Sequence, residues 1–436
     1  MRLLIYVPLL TSRVEYAFQL LFGSALSLAY EFTSDESFFR RSAGPRLNYS
    51  EKPLVDGELW LPAGPLLGER GIRPLSPDAF LAEGLPAFFA QSAPGAALPF
   101  DLPALAFFLA SRYEEYLPFH PDRLGRFPAS ESFAYRQGFL QQPLVNQWAL
   151  HLADLLRQRF PGLNIKQPEY HFQPTYDVDL AWAYQHRPAW RLVLASLRDS
   201  LTGQWPAFKE RAAVLTGRRS DPFYTFDYLK RLHQQYQLTP LYFFLLGNAG
   251  TYDKSIRHTV PAFRQLIRKI AQGATVGIHP SFRSNSSAMR LEKEIRRLEA
   301  ITDRKVLDSR QHFLMLRFPH TYTQLLETGV RNDYSMGFAD APGFRASMAT
   351  PFPWYNLEKE RMESLKVFPF AAMDVTLRQY QRLAPEQAFL QLCRLSDTVR
   401  KVGGNFITLW HNSSFSVHHG WCGWREVYEK IVSYAR

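Results

Sequence analysis

From about residue 170 to the C-terminus, short apolar runs alternate with amphipathic stretches. This alternation limits the possible folds more than any other feature of the chain. "TPLYFFLLG" (239–247) and "ATVGIH" (274–279) are continuously apolar, the mark of strands covered on both faces. "EYHFQPTY", "HFLMLR" (312–317), "LKVFPFAAMD" (365–374) and "NFITLWH" (405–411) complete the predicted strands. Helical periodicity falls between them, at 258–272, 286–300, 320–328, 384–401 and near 424–435. Strands that are apolar on both sides and separated by helices predict parallel pairing, here in a distorted (β/α) barrel.

The first 160 residues also mix strand-like and helix-like segments, as a smaller α/β unit. "LLIYV" reads as a strand, and residues 13–32 as a helix that is apolar over most of its turn. "LPALAFFLASRYEEYL" reads as a buried helix ending in charge, where Glu114 and Glu115 are expected to pair with Arg123 or Arg126. "PLVNQWALHLADLLRQRF" carries one apolar stripe through Val145, Trp148, Leu152, Leu155 and Leu156. The Pro-rich segment 161–174 lacks helical period, so the expected division is 1–165 and 166–436.

Composition narrows the function. The chain of 436 residues carries a net charge of +11, but its Lys and Arg are scattered in short groups at 40–42, 217–220 and 400–404. Neither a long basic run nor a nucleic-acid module is recognisable, so no nucleic-acid partner is expected. The longest N-terminal apolar run, Leu3 to Leu10, has no small-residue cleavage site close behind it and reads as a strand. Nothing approaches the roughly 18 apolar residues of a membrane span, and a cytoplasmic protein is expected. Cys393 and Cys422 have no metal-ligand spacing and suggest no disulfide framework.

The chemistry-bearing residues share one kind of position. Asp177 and Asp179 follow the first strand of the alternating region. His279, Arg317, Asp374 and His411 each end a later predicted strand. In a β/α barrel those ends converge on one face. An oxygen ligand and an imidazole can hold a zinc-type ion with open positions, and a second carboxylate can take a proton from water. An arginine beside that base keeps it ionised, and a histidine across the site can protonate a leaving group. Together these groups predict hydrolysis of an amide or ester.

The motifs resemble those of the polysaccharide deacetylase (NodB-homology) family over about residues 168–436. "TYDVD" is similar to its first motif, "GIHPSFRS" lies where its second belongs, "LRFPHTY" resembles its third and "LWH" its last. The N-terminal "RYEEYLPFHPDRLGRF" resembles a domain that precedes these deacetylases in a bacterial subgroup. The resemblance implies Asp177 as general base, Asp179 and His279 as metal ligands, Arg317 as the residue tuning the base and His411 as general acid. It also implies a divalent ion, zinc first and Co²⁺ or Mn²⁺ next, and an N-acetylated carbohydrate as substrate. One position departs from the pattern, because Arg283 stands where a second histidine is expected. The third ligand is therefore open between His312, an Asn or Ser of "SFRSNSS", water, and none at all. Trp182, Phe282, Trp354 and Trp410 are candidates to stack on sugar faces. Asp374 is read first as a buried strand-end acid and second as a substrate contact. The long insertion at about 185–238 is expected to form a lid or a substrate wall. Two further readings are a glycan-binding barrel without catalysis and a hydrolase of non-sugar amides or imides.

Overall fold

The computed structural model describes residues 2–166, 168–416 and 420–436. Four strands, β1 (Leu3–Tyr6), β2 (Tyr30–Thr33), β3 (Arg46–Ser50) and β4 (Leu59–Pro62), form a parallel sheet in the order β2, β1, β3, β4. A short hairpin, β5 (Phe80–Ala82) with β6 (Leu85–Ala87), follows. The expected helix at 13–32 is shorter. It runs over Ser12–Phe18, widens into a π-helical segment at Gln19–Ala25, and its last residues form β2 instead.

The larger sheet contains β7 (His171–Val178), β8 (Leu241–Phe244), β9 (Thr275–Ile278), β10 (Asp308–Ser309), β11 (Asn332–Asp333), β12 (Phe352–Asn356), β13 (Arg361–Val367), β14 (Ala372–Met373) and β15 (Asn405–His411). Their order is β12, β13, β11, β10, β9, β8, β7, β15, β14. Every neighbouring pair is parallel except β12 with β13. The strand order ends at β12 and β14 among the described strands. Between β13 and β14 the chain interrupts at "FPF", where Pro369 has no N–H to donate; the Phe368 N–H donates to the Asp333 carbonyl on the β11 side and the Ala371 N–H to the Ile407 carbonyl of β15.

Most helices lie close to their predicted positions, at Pro261–Ala271, Ala288–Thr302, His320–Glu327, Pro385–Lys401 and Trp424–Ala435. Gly329, at φ +92°, turns the chain out of the His320–Glu327 helix. Period-2 alternation sorts β7 into two faces. Tyr176 and Val178 join the main apolar core beneath the helices. There the Tyr176 hydroxyl meets His233 Nε2 at 2.6 Å and also bonds the Tyr428 hydroxyl. Thr175 and Asp177 face the other way.

The predicted partners of Glu114 and Glu115 are replaced. The Glu115 carboxylate bridges Arg112 at 2.7 Å and Arg345 at 2.5 Å, all three nearly solvent-free, and Glu114 meets Arg112 at 2.8 Å. Arg126 instead pairs with Asp122. The main apolar core likewise runs from Leu3 to Ala435, across the expected boundary. Burial, the largest influence on Glu115, raises its pKa, but Arg345 and Arg112 outweigh it and hold the carboxyl below its ordinary value. Its stabilising contribution is therefore present above the ordinary glutamate pKa of about 4.3 and is lost as pH falls through the depressed folded value. Glu115→Ala leaves the buried Arg345 guanidinium without a carboxylate and Arg112 with Glu114 alone, and we expect it to cost about 3–5 kcal/mol in urea unfolding at neutral pH. A loss below about 1 kcal/mol would refute the bridging role.

Candidate metal and acid–base centre

The centre is assembled from three strand ends and one turn. Asp177 lies in β7 opposite His411 of β15, and Asp179, two residues on, points to the same side as Asp177. His279 directly follows β9. His312 begins a 3₁₀ turn, His312–Leu314, just after β10.

The hydrogen bonds of the two imidazoles fix how they present themselves. His279 Nδ1 is 2.6 Å from the carbonyl oxygen of Arg310, which can only accept, so Nδ1 carries the proton. Its Nε2 then faces Asp179 Oδ1 at 3.2 Å and Asp177 Oδ2 at 3.8 Å. His312 repeats the pattern. Its Nδ1 is 3.1 Å from Asp253 Oδ1, and its Nε2 is 3.7 Å from Asp179 Oδ1. Asp253 is itself held by the Phe282 N–H at 2.7 Å. One atom each from Asp179, His279 and His312 lies within 4.8 Å of the others. Asp179 Oδ1 is buried and has no hydrogen-bond partner. An orphaned carboxylate oxygen facing two imidazole lone pairs, each ring oriented by an acceptor behind it, suits a divalent cation. Two histidines and one carboxylate, with open positions left over, match a catalytic zinc-type site better than a closed structural one.

Charge is concentrated here. Burial is the largest influence on the Asp179 carboxyl and raises its pKa, yet His312, His279 and His411 together hold it well below the usual range. His279 is raised, because Asp177 and Asp179 overcome the opposing effect of its burial. A bound cation would replace the proton that these carboxylates otherwise stabilise.

Asp177 is oriented by a fully buried arginine, Arg310. One Nη donates to Asp177 Oδ1 at 3.1 Å and to Thr175 Oγ1 at 2.7 Å, while Nε donates to the Tyr334 carbonyl at 2.9 Å. The guanidinium lies 4.7 Å from the Phe243 ring centre. Arg317, the expected partner of the base, is exposed, and it does not line the cleft around Asp177. The reason lies in the backbone. Phe313 and Leu314 have φ of 58° and 55°, which a strand cannot hold, so 312–317 is a turn and the strand is β10 before it. The strand-end cation is thus Arg310.

On the opposite flank, His411 Nε2 is 3.9 Å from Asp179 Oδ2. Its Nδ1 is 2.9 Å from Asp374 Oδ1, and its backbone N–H donates to Asp374 Oδ2. Asp374 also accepts from Ser414 Oγ and the Val375 N–H, so its oxygens are taken up in orienting His411, and it is not among the residues lining the cleft. Burial pulls the His411 pKa down, but Asp374 first, then Asp179 and Asp177, push it up to about 10. In metal-free protein we expect NMR titration to find His411 protonated through neutral pH. Asp374→Asn should bring that pKa down by more than about one unit, since a neighbouring carboxylate typically shifts it by 1–3. An unchanged midpoint would refute the pairing.

These groups open into a cleft of about 560 Å³. Its walls include Phe313, Tyr380 and Trp421, none of them predicted. The predicted aromatics lie elsewhere. Trp410 alternates with His411 along β15, so it points into the core against Phe415 and Tyr428. Trp182 is buried on Tyr224, and Trp354 on Tyr322. Phe282 packs behind the wall, on Tyr252 and Phe313. Among the described residues, none that lines the cleft comes from 185–238. The N-terminal region instead supplies Arg123 and Arg126. Arg126 is anchored on the Phe313 carbonyl at 2.7 Å and the Tyr380 hydroxyl at 3.1 Å. Arg283, in place of the expected histidine, is exposed and lies against Gly250.

Residues 3–161 match the model of a family of unknown function, DUF7033. No curated protein matches the chain. Among solved structures, a protein assigned as a polysaccharide deacetylase from Mycobacterium smegmatis aligns at 14% identity and TM-score 0.40, over 62% of this chain and 84% of its own. A 4-α-glucanotransferase from Thermococcus litoralis aligns at 13% and 0.37, over 62% of this chain and 37% of its own. BA3943 from Bacillus anthracis, described as a CE4 family pseudoenzyme, aligns at 12% and 0.29, over 62% and 60%. Likeness at this level decides no chemistry, which rests on the side chains above.

Proposed function

We propose that the chain is a metal-dependent hydrolase that removes N-acetyl groups from a carbohydrate. The observation that carries this reading is the convergence of His279 Nε2 and His312 Nε2 on the unpartnered Asp179 Oδ1, with Asp177 and His411 on its two flanks. Asp179, His279 and His312 would hold the ion. When bound, a zinc-type ion supplies Lewis-acid polarisation of an amide carbonyl and lowers the pKa of water. The chain's own groups do the rest. Asp177, fixed by Arg310, receives the proton of the attacking water. His411, held by Asp374 with Nε2 toward the cleft, delivers a proton to the departing amine. Phe313, Tyr380 and Trp421 offer apolar faces of the kind on which sugar rings stack. His312 provides a third ligand despite Arg283, which favours catalysis over glycan binding alone.

The test is acetate release from N-acetylglucosamine oligomers with added Zn²⁺, Co²⁺ or Mn²⁺, repeated with a chelator and with small cyclic amides. Metal-dependent acetate release from the oligomers is expected. Absence of acetate with every metal, while glycan binding persists, would overturn the proposal in favour of a binding protein. Turnover of the cyclic amides alone would make the substrate a non-sugar amide.

A further inference from the structure

The helix Ala189–Leu201 is inside out. Its only buried residue is Asp199. Trp190, Leu194, Leu197 and Leu201 are 59%, 57%, 55% and 87% exposed. With Val193 they recur at helical spacing and form one stripe about 100° wide. An amphipathic helix normally buries such a stripe. Here polar contacts secure the opposite face: Asp199 pairs with the buried Arg211 of the following helix, Trp205–Leu215, at 2.5 Å, and Arg211 also reaches Ser196 Oγ. A small apolar cluster, with Leu192 and Phe223 against Ala183, Tyr184 and Val214, ties the pair of helices to the chain, and the Tyr184 hydroxyl donates to Glu210. Asp221 accepts from the N–H groups of Ala183, Tyr184 and Gln185 and closes the base of the insertion.

We propose that this stripe, continued by Trp205 at the start of the second helix, docks onto an anionic phospholipid bilayer. The helices have 13 and 11 residues, too short to span a bilayer but suited to lying in its interface. Tryptophan at both ends of the apolar face suits the headgroup boundary. The surrounding charge is complementary to such a surface. Residues 187–220 hold seven Lys and Arg against two acids, a large share of the chain's net +11. Arg191 and Arg198 border the stripe on one side. The same excess of cations opposes a second copy of the chain as occupant, because two such faces would repel.

The test is co-sedimentation of the full chain with vesicles of phosphatidylcholine alone, or with about one-third phosphatidylglycerol added. Binding should require the anionic lipid and weaken with salt. The double variant Leu194→Glu/Leu197→Glu changes only exposed positions and should lower the bound fraction by at least about tenfold with an unchanged melting temperature. Equal sedimentation of wild type and variant, or no wild-type binding to either vesicle, would overturn the proposal. So would a wild-type dimer in light scattering that the same variant converts to monomer. None of these readouts depends on catalysis.

Discussion

Asp177→Asn is expected to lower kcat by about 10²–10⁴-fold, the usual contribution of a positioned general base, while the protein keeps its full divalent-metal content. Asn retains an oxygen for Arg310 but cannot take a proton from water. The substitution also leaves the buried Arg310 guanidinium without its counter-charge, so some loss of stability is expected as well. The double variant Asp177→Asn/Arg310→Met separates the two effects. Removing the stranded charge should recover melting temperature without recovering turnover. Near-normal kcat in the single variant, or recovery of activity along with stability in the double, would remove Asp177 from the chemistry.

The second large effect concerns metal content. His312→Ala should weaken zinc binding by more than about 100-fold, because losing a direct ligand exceeds the 10–100-fold typical of losing a group behind one. Dialysis against a weak chelator followed by elemental analysis reads this directly, without any substrate. Arg283→Ala is the contrasting control. Arg283 is exposed and sits against Gly250, so its removal should leave metal content within about twofold. Retention of metal by His312→Ala, or its loss in Arg283→Ala, would mean that the third ligand lies elsewhere.

The proposed acid–base pair was readable because its signal is local. Asp177 and Asp179 stand at i and i+2 after an apolar run, and His411 ends another, so strand period alone aims them at one side. Arg310 was not readable in this way. Its strand is only two residues long, too short for a periodic pattern, and the apolar "HFLML" that follows looks more like a strand than β10 does. The positive φ values at Phe313 and Leu314 end that resemblance, and no propensity scale flags them in advance. His312 was one candidate among several until the turn brought its Nε2 to Asp179. The aromatics were misplaced because abundance near a motif does not say which face of a strand a ring takes.

By itself the sequence determined the parallel β/α character of residues 170–436, most helix positions and the two acids and two histidines at strand ends. Each of these follows from spacing along the chain. Only the tertiary structure decided that Arg310 reaches Asp177, that Glu115 joins Arg112 to Arg345, that Arg123 and Arg126 reach the cleft, and that a helix of the insertion turns its leucines outward. The physical reason is common to all four. Each depends on pairings between segments far apart in the chain, and a residue's own neighbours carry no record of the distant partner that fixes its orientation.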